Sequence, residues 1–272
     1  MGRLDYFLNR PKAATIDIDS YLSRINQKKE NQSLSYLRKL HRAHLIHIPF
    51  ENLDIHHNKK IILDYDKIFK KVILRKRGGY CYELNGLFFH LLYHLGFEAK
   101  IISAKVRNEE SGDFGKDFDH MAIIVHLDEV DYLVDVGFGK GIIYPKKIDE
   151  GLIQMDYTDY WKLEKDPDEN YLLQTSNDAR TFSTKYLFTL EQKELIQFIE
   201  MNEYQQNHPK STFLQKKMIT RLTEEGRVTL TDKKFNEVKL GVLHQTEITN
   251  EDEFLALLDQ HFKITFQQLN DN

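Results

Sequence analysis

The chain has 272 residues, 41% hydrophobic and 29% charged, with a formal net charge of -4 and a single cysteine. That length is ample for a buried core, in one large domain or two to three small ones, and the composition is that of a soluble globular protein. An acidic balance argues against a nucleic-acid surface, one cysteine excludes an intramolecular disulfide, and no window approaches ~18 consecutive apolar residues, so no membrane span is expected. Met1 to Ser20 is interrupted by charges and Pro11 and lacks the apolar core of a signal peptide, which points to the cytoplasm.

From Asp17 to about Leu95 the apolar period is helical. Asp17 or Asp19 can cap a helix through Ile25; Leu34, Leu37, His41 and His44/Leu45 share a face; Pro49 breaks the pattern; Ile68, Phe69, Val72 and Ile73 mark another helix after Asp64. Leu84, Leu87, Phe88, Leu91, Leu92 and Leu95 form one stripe of a further helix, closed by Gly96, which suits the left-handed residue past a helix end.

Beyond Gly96 the period becomes two. Strands are expected at Ala99 to Val106, His120 to Leu127, Tyr132 to Val136, Tyr160 to Leu163, Tyr171 to Thr175 and Thr184 to Phe188, and short strands at such intervals suggest a sheet curling into a barrel. A helix is expected near Leu190 to Tyr204. A hairpin over Lys217 to Leu222 and Arg227 to Leu230 turns at Glu224-Glu225-Gly226, Lys234 to Leu240 adds a third strand, and a final helix starts at Thr249. The fold class is α+β, in three successive parts: helical (1-96, ending in the Cys81 helix), barrel (97-190) and mixed α/β (191-272).

Cys81 stands at the start of the Leu84-to-Leu95 helix, behind Gly78 and Gly79. Unpaired N–H groups and the positive end of the helix dipole favour a thiolate there, whereas free cysteines are also among the most buried residue types, so position alone leaves a nucleophile and an inert core residue level. His120 opens one strand and Asp135 ends the next; if the two strands pair, imidazole and carboxylate meet on one side of the sheet. Cysteine, histidine and aspartate then form a nucleophile, its base, and the group that orients the base. Gly137-Phe138-Gly139 after Asp135 permits a tight loop beside the site.

Arg77-Gly78-Gly79-Tyr80-Cys81-Tyr82-Glu83-Leu84-Asn85 resembles the active-site signature of the arylamine N-acetyltransferases. Ile48-Pro49-Phe50-Glu51-Asn52-Leu53, Asp119-His120-Met121 and Val134-Asp135-Val136-Gly137-Phe138-Gly139 resemble three further segments of that family in family order, and Asn207-His208-Pro209-Lys210-Ser211-Thr212-Phe213 is similar to a weaker fifth. The resemblance implies an N-terminal helical bundle, a central β-barrel and a C-terminal α/β lid around a cysteine-protease-like Cys81-His120-Asp135 core. It implies acetyl transfer from acetyl-CoA, a co-substrate rather than a tightly bound cofactor, to arylamines, arylhydrazines or arylhydroxylamines through an acetyl-Cys81 intermediate, a chemistry of xenobiotic metabolism. Within the matching motifs, Phe50, Tyr80 and Phe138 are candidates to stack on an aromatic acceptor, and backbone N–H groups at Cys81 and over Gly137 to Gly139 to hold an oxyanion.

The triad alone leaves other readings open. Papain-like proteases and transglutaminases use the same constellation in the same chain order; relatives with these motifs form amides from other acyl donors; and a binding scaffold on the same fold is the non-enzyme reading. His90 and His94 have metal-ligand spacing but no neighbouring acid, so a solvated or hydrogen-bonded pair is expected and no metal. Arg77 and Glu83 are read as an ion pair locking the turn around Cys81. Lys140-Gly141-Ile142-Ile143-Tyr144-Pro145-Lys146-Lys147 departs from the family's small-residue loop, and its lysines are candidates for acceptor access or for the coenzyme's phosphates.

Overall fold

The computed structural model describes residues 16–270, so the N-terminal stretch read above lies, up to residue 15, outside the described residues. Asp17 caps α1 (Ile18–Arg24) by accepting the Ser20 N–H at 3.1 Å. Ser33 caps α2 (Leu34–His47) in the same way, and α2 buries Leu37, Leu40, His41 and His44 on the stripe that the period marks. Pro49 ends it, because the residue before a proline is driven out of helical geometry and Ile48 is extended. A two-residue strand β1 (Phe50–Glu51), a single turn α3 (Leu53–His56) and α4 (Tyr65–Phe69), which widens into a π-type turn over Lys70–Leu74, lead to α5 (Cys81–His94).

Helix α5 is buried on every side from Cys81 to Leu92, as a helix apolar around its circumference must be. Gly96 follows it at φ +88°, the left-handed backbone that favours glycine at a helix end.

The central sheet comprises β2 (Glu98–Val106), β3 (His120–Leu127), β4 (Val130–Val134), β5 (Lys146–Lys147), β6 (Gln154–Asp156), β7 (Asp159–Lys165), β8 (Tyr171–Ser176) and β9 (Ser183–Phe188), in the order β5-β4-β3-β2-β9-β8-β7-β6. Its two edges, β5 and β6, are not paired as strands. Side chains close the seam: Gln154 Oε1 accepts the Lys147 N–H at 2.8 Å, Gln154 Nε2 donates to Lys147 O at 2.9 Å, and Lys146 meets Asp156 at 3.0 Å. The glutamine thus imitates a strand partner, and the sheet is a nearly closed barrel. β3 and β4 are antiparallel neighbours with Ile123 opposite Val134, which puts Asp135 directly after the last paired residue.

A 3-10 turn (Leu195–Phe198) continues into α6 (Ile199–Asn207), a later start than the expected Leu190, followed by α7 (Thr212–Gln215). β10 (Met218–Leu222), β11 (Gly226–Thr231), β12 (Lys234–Lys239) and β13 (Val242–Glu247) form the second sheet, which β1 completes by pairing Phe50 with Thr220. The helices α8 (Glu251–Phe262), capped by Asn250 rather than Thr249, and α9 (Phe266–Asn270) follow. Among the described residues, no helix is long and apolar enough to cross a membrane.

Candidate active site

Cys81 is the first residue of α5 and is 2% exposed. Burial pushes its thiol well up, the reverse of what the helix start alone would do, and the carboxylates of Asp119 and Asp135 add to the rise. The peptide N–H groups of Met121 and Tyr82 act in the opposite sense, and Asn85, one turn along α5 from Cys81, donates to Met121 O at 2.6 Å, so the first turn of α5 packs against the start of β3, which carries His120. A thiol so buried needs a proton acceptor at hand more than it needs a favourable dipole.

His120 Nε2 lies 2.8 Å from Asp135 Oδ2, with both side chains almost fully buried. Burial would raise the Asp135 carboxyl, but His120, Asn85 and the Gly137 N–H hold it below the ordinary carboxylate range. As a carboxylate it only accepts, so Nε2 carries the proton and Nδ1 is left for the reaction. The remaining lone pairs of Asp135 are filled. Asn85 Nδ2 donates to Oδ1 at 2.9 Å, Gly137 N–H to Oδ1 at 3.0 Å and Tyr186 O–H to Oδ2 at 3.0 Å.

Three residues that hold Asp135 in place, two at its carboxylate and one at its backbone, have no role assigned from the sequence. Asn85, one turn along α5 from Cys81, also donates to Met121 O at 2.6 Å and accepts the Val136 N–H at 2.9 Å, binding helix and both strands together. Its i, i+4 spacing from Cys81 is the signal that could have marked it. Tyr186 comes from β9, across the sheet, with no local signal. His41 on α2 accepts the Asp135 N–H at Nε2 (3.2 Å) and donates from Nδ1 to Ile143 O (2.8 Å), so one neutral imidazole clamps both ends of the 135–143 loop. Burial brings that ring down to about 4, which keeps it neutral as the clamp requires.

Gly137 explains the closeness of that loop to the nucleophile. A Cβ there would lie 2.8 Å from Cys81 Cα and 2.7 Å from Asn85 Nδ2. Its N–H is taken by Asp135, so Gly137 serves packing and cannot join the oxyanion donors expected of the loop. Gly78 and Gly79 likewise admit the chain's own atoms: a Cβ would come to 2.1 Å from Pro49 O at Gly78 and 2.8 Å from Glu83 at Gly79.

Arg77 and Glu83 do not pair with each other. Arg77 binds Glu51 and Asp54, each at 2.8 Å, while Glu83 binds Lys71 at 2.9 Å and accepts the Tyr80 N–H at 3.1 Å. Lys71 also reaches Asp54 at 2.7 Å, so the two cations and three carboxylates form one buried network under the turn before Cys81. Burial pushes Glu83 up to about 7 against the pull of Lys71. The sequence gives the charges but not which of them face one another in three dimensions.

Of the aromatic candidates, Phe138 is half-buried with its ring 5.1 Å from the His120 ring, edge-on, and Phe50 stands against Gly139. Tyr80 is fully buried, edge-on to Tyr82 and Phe213, with its hydroxyl bonded to Asn202, so the structure offers it no face for a ligand ring. The lysines of the departing loop are mostly engaged: Lys146 is 2% exposed on Asp156, Lys147 binds Asp149 at 2.7 Å, and Lys140 is exposed. His90 is buried against Tyr65 with neither ring nitrogen hydrogen-bonded, whereas His94 is exposed, so the expected solvated or hydrogen-bonded pair holds for His94 alone and His90 is aromatic packing. Among the described residues, no group of three or more potential ligands could hold a metal ion.

An almost completely buried cysteine and a carboxylate-held histidine on an α+β frame are the groups that a thiol-dependent acyl-transfer enzyme would need. Residues 33–270 match the family model described as N-acetyltransferase. Arylamine N-acetyltransferase 1 of Bos taurus is 29% identical over 93% of this chain and 96% of its own length. Among solved structures, the Mycobacterium marinum arylamine N-acetyltransferase in complex with CoA superposes with a TM-score of 0.86 at 25% identity, covering 94% of this chain and 95% of that one. A Bacillus cereus arylamine N-acetyltransferase, whose triad is Cys-His-Glu, gives 0.84 at 26% identity over 92% and 99%. The chain belongs to the arylamine N-acetyltransferase family and is an acyltransferase of the expected α+β class.

Proposed function

We propose that the protein moves an acetyl group from acetyl-CoA to an arylamine or arylhydrazine by way of acetyl-Cys81. The observation that supports this most is the His120–Asp135 contact at 2.8 Å, at the start of the strand that Asn85 ties to the Cys81 helix. CoA in the M. marinum relative supports the donor.

In the first half-reaction Cys81 Sγ attacks the thioester carbonyl as its proton passes to His120 Nδ1. Asp135 stabilises the imidazolium, and the Cys81 peptide N–H, an unpaired first-turn donor, stabilises the oxyanion. The C–S bond to coenzyme A breaks and its thiolate leaves with the proton from His120. In the second half-reaction the amine nitrogen attacks acetyl-Cys81, His120 takes the amine proton, and the Cys81 thiolate is released and reprotonated. A thiol displacing a thiol of similar stability makes the first step close to isoenergetic, which suits a carrier. Phe50 and Phe138 are the proposed walls for the acceptor ring.

One thiol that serves both halves must release coenzyme A before the amine reacts. Initial rates at several fixed concentrations of an aromatic hydrazide should therefore give parallel double-reciprocal lines; intersecting lines, together with peptide hydrolysis, would replace this reading with a hydrolase.

A further inference from the structure

We propose that Arg227 recognises an oxyanion carried by the substrate, either the carboxylate of an aromatic acceptor or a phosphate of the acyl donor; the proposal rests on the acyl-transfer reading above. Arg227 lies on β11, between Leu222 of β10 and Val238 of β12. Its Nη1 donates to Gly139 O at 2.6 Å and approaches Thr220 Oγ1 at 3.5 Å. Those are its side-chain partners among the described residues, and both serve one nitrogen. A guanidinium has five N–H donors, so the three on Nε and Nη2 lack a protein acceptor. Neither nitrogen is sealed in the interior, because neither is among the buried polar atoms left unpartnered.

Two other interior arginines are better provided for. Arg77 has two carboxylates, and Arg221 spreads its donors over the carbonyls of His261, Ile46 and Leu222. A third, Arg24, has one bond, to Lys76 O at 3.4 Å, and a buried Nε without a partner, so it is the position of Arg227 beside Gly139 that sets it apart. Arg227 has no carboxylate in contact; Asp159 acts on it only at a distance, and burial brings the guanidinium down to about 10. Its charge is thus left without a counter-ion from the protein, and its free nitrogens are open to one from outside.

The place is as telling as the vacancy of charge. Gly139 follows Phe138, whose ring meets His120, and a Cβ on Gly139 would touch Thr220 Cγ2 at 3.7 Å and Phe50 at 3.8 Å. Arg227 therefore holds the loop one residue from the proposed ring-binding wall. A guanidinium fork takes carboxylate or phosphate through two parallel hydrogen bonds, which a lysine cannot reproduce.

The test uses the full chain carrying Cys81→Ala, so that ligands bind without reacting, with and without Arg227→Gln or Arg227→Lys. Calorimetry compares two pairs of ligands: coenzyme A with pantetheine, and 4-aminobenzoate with its ethyl ester. Arg227→Gln should weaken the charged member of one pair by roughly tenfold to a hundredfold, the range for losing hydrogen bonds to a charged group, and its neutral counterpart by less than about threefold. The pair that responds identifies the source of the oxyanion. Arg227→Lys, which keeps the charge and a donor for Gly139 O, should recover only part of the loss, and it carries the test if the glutamine variant does not fold. Equal effects on charged and neutral ligands, or no effect, would overturn the proposal and leave Arg227 as a brace for Gly139. Incubating the unmutated protein with acetyl-CoA alongside keeps the two readings apart: a missing acetyl adduct sinks acyl transfer, whereas an adduct with unaltered binding sinks the arginine alone.

Discussion

Gly137→Ala adds one methyl group and should be among the most damaging small changes in the protein. The new Cβ would lie 2.8 Å from Cys81 Cα, 3.0 Å from Cys81 O and 2.7 Å from Asn85 Nδ2. Ordinary carbon contacts begin near ~3.5 Å, so loop and helix must separate by about 0.7 Å. Neither can yield alone. Cys81 is fixed by α5, buried throughout its first three turns, and the loop is tied by Asp135, Asn85 and the His41 clamp. Overpacking of this kind costs about 1–3 kcal/mol of stability, and a misplacement approaching 1 Å between nucleophile and base costs about a hundredfold in rate. Rapid-quench measurement of the acetylation half-reaction with acetyl-CoA, paired with a thermal melt, reads both. The expected result is a drop of about a hundredfold in the acetylation rate with the protein still folded at 25 °C; a rate within twofold of wild type would refute the geometry described here.

Burial raises the Cys81 thiol, so alkylation by iodoacetamide would fade below an alkaline pH if the thiol ionised alone. With its proton passed to His120, the reaction should instead persist well below the ordinary thiol value of ~8.5, and Asp135→Asn should move the profile to alkaline pH; identical profiles for the two proteins would exclude Asp135 as the support of the imidazolium. Arg77→Met should cost about 3–5 kcal/mol, seen as a fall of roughly 10 °C in Tm, because Glu51, which is fully buried, loses its guanidinium. A fall under ~2 °C would mean that Lys71 compensates. His41 and His90 both have folded values lowered to about 4 from 6.5. Between those values the unfolded chain binds protons that the folded one refuses, so the stability present above pH 6.5 should decline as pH falls toward 4, by up to about 3 kcal/mol per ring. Urea midpoints that stay level from pH 7 to pH 4.5 would contradict it.

What the sequence made legible was whatever one element displays along its own length. The α5 run with its closing glycine, the β3 run from His120 and the Glu224-Glu225-Gly226 hairpin are each set out by apolar residues and turn residues of one continuous segment, and the structure has all three. β13 escaped since every residue in it is exposed and no burial imposes a period. β1 is two residues long and exists because β10 pairs with it. The same logic divides the site. Cys81, His120 and Asp135 announce themselves by motif and position, but Tyr186 reaches Asp135 across 51 residues and His41 across 94, and such partners are set by the fold alone. The ion network misled for a related reason: Arg77 and Glu83 are near in sequence, yet burial pairs them with Asp54, Glu51 and Lys71.

The central claim is that Cys81 carries the acetyl group, and the most direct measurement is intact-mass analysis after mixing the protein with acetyl-CoA in the absence of any acceptor, followed by peptide mapping. The predicted result is a single added acetyl group on the peptide containing Cys81, absent in Cys81→Ala and removed on addition of an aromatic hydrazide. An acetyl group on another residue, or turnover of acetyl-CoA with acceptor by Cys81→Ala at a rate near that of the unmutated protein, would contradict it.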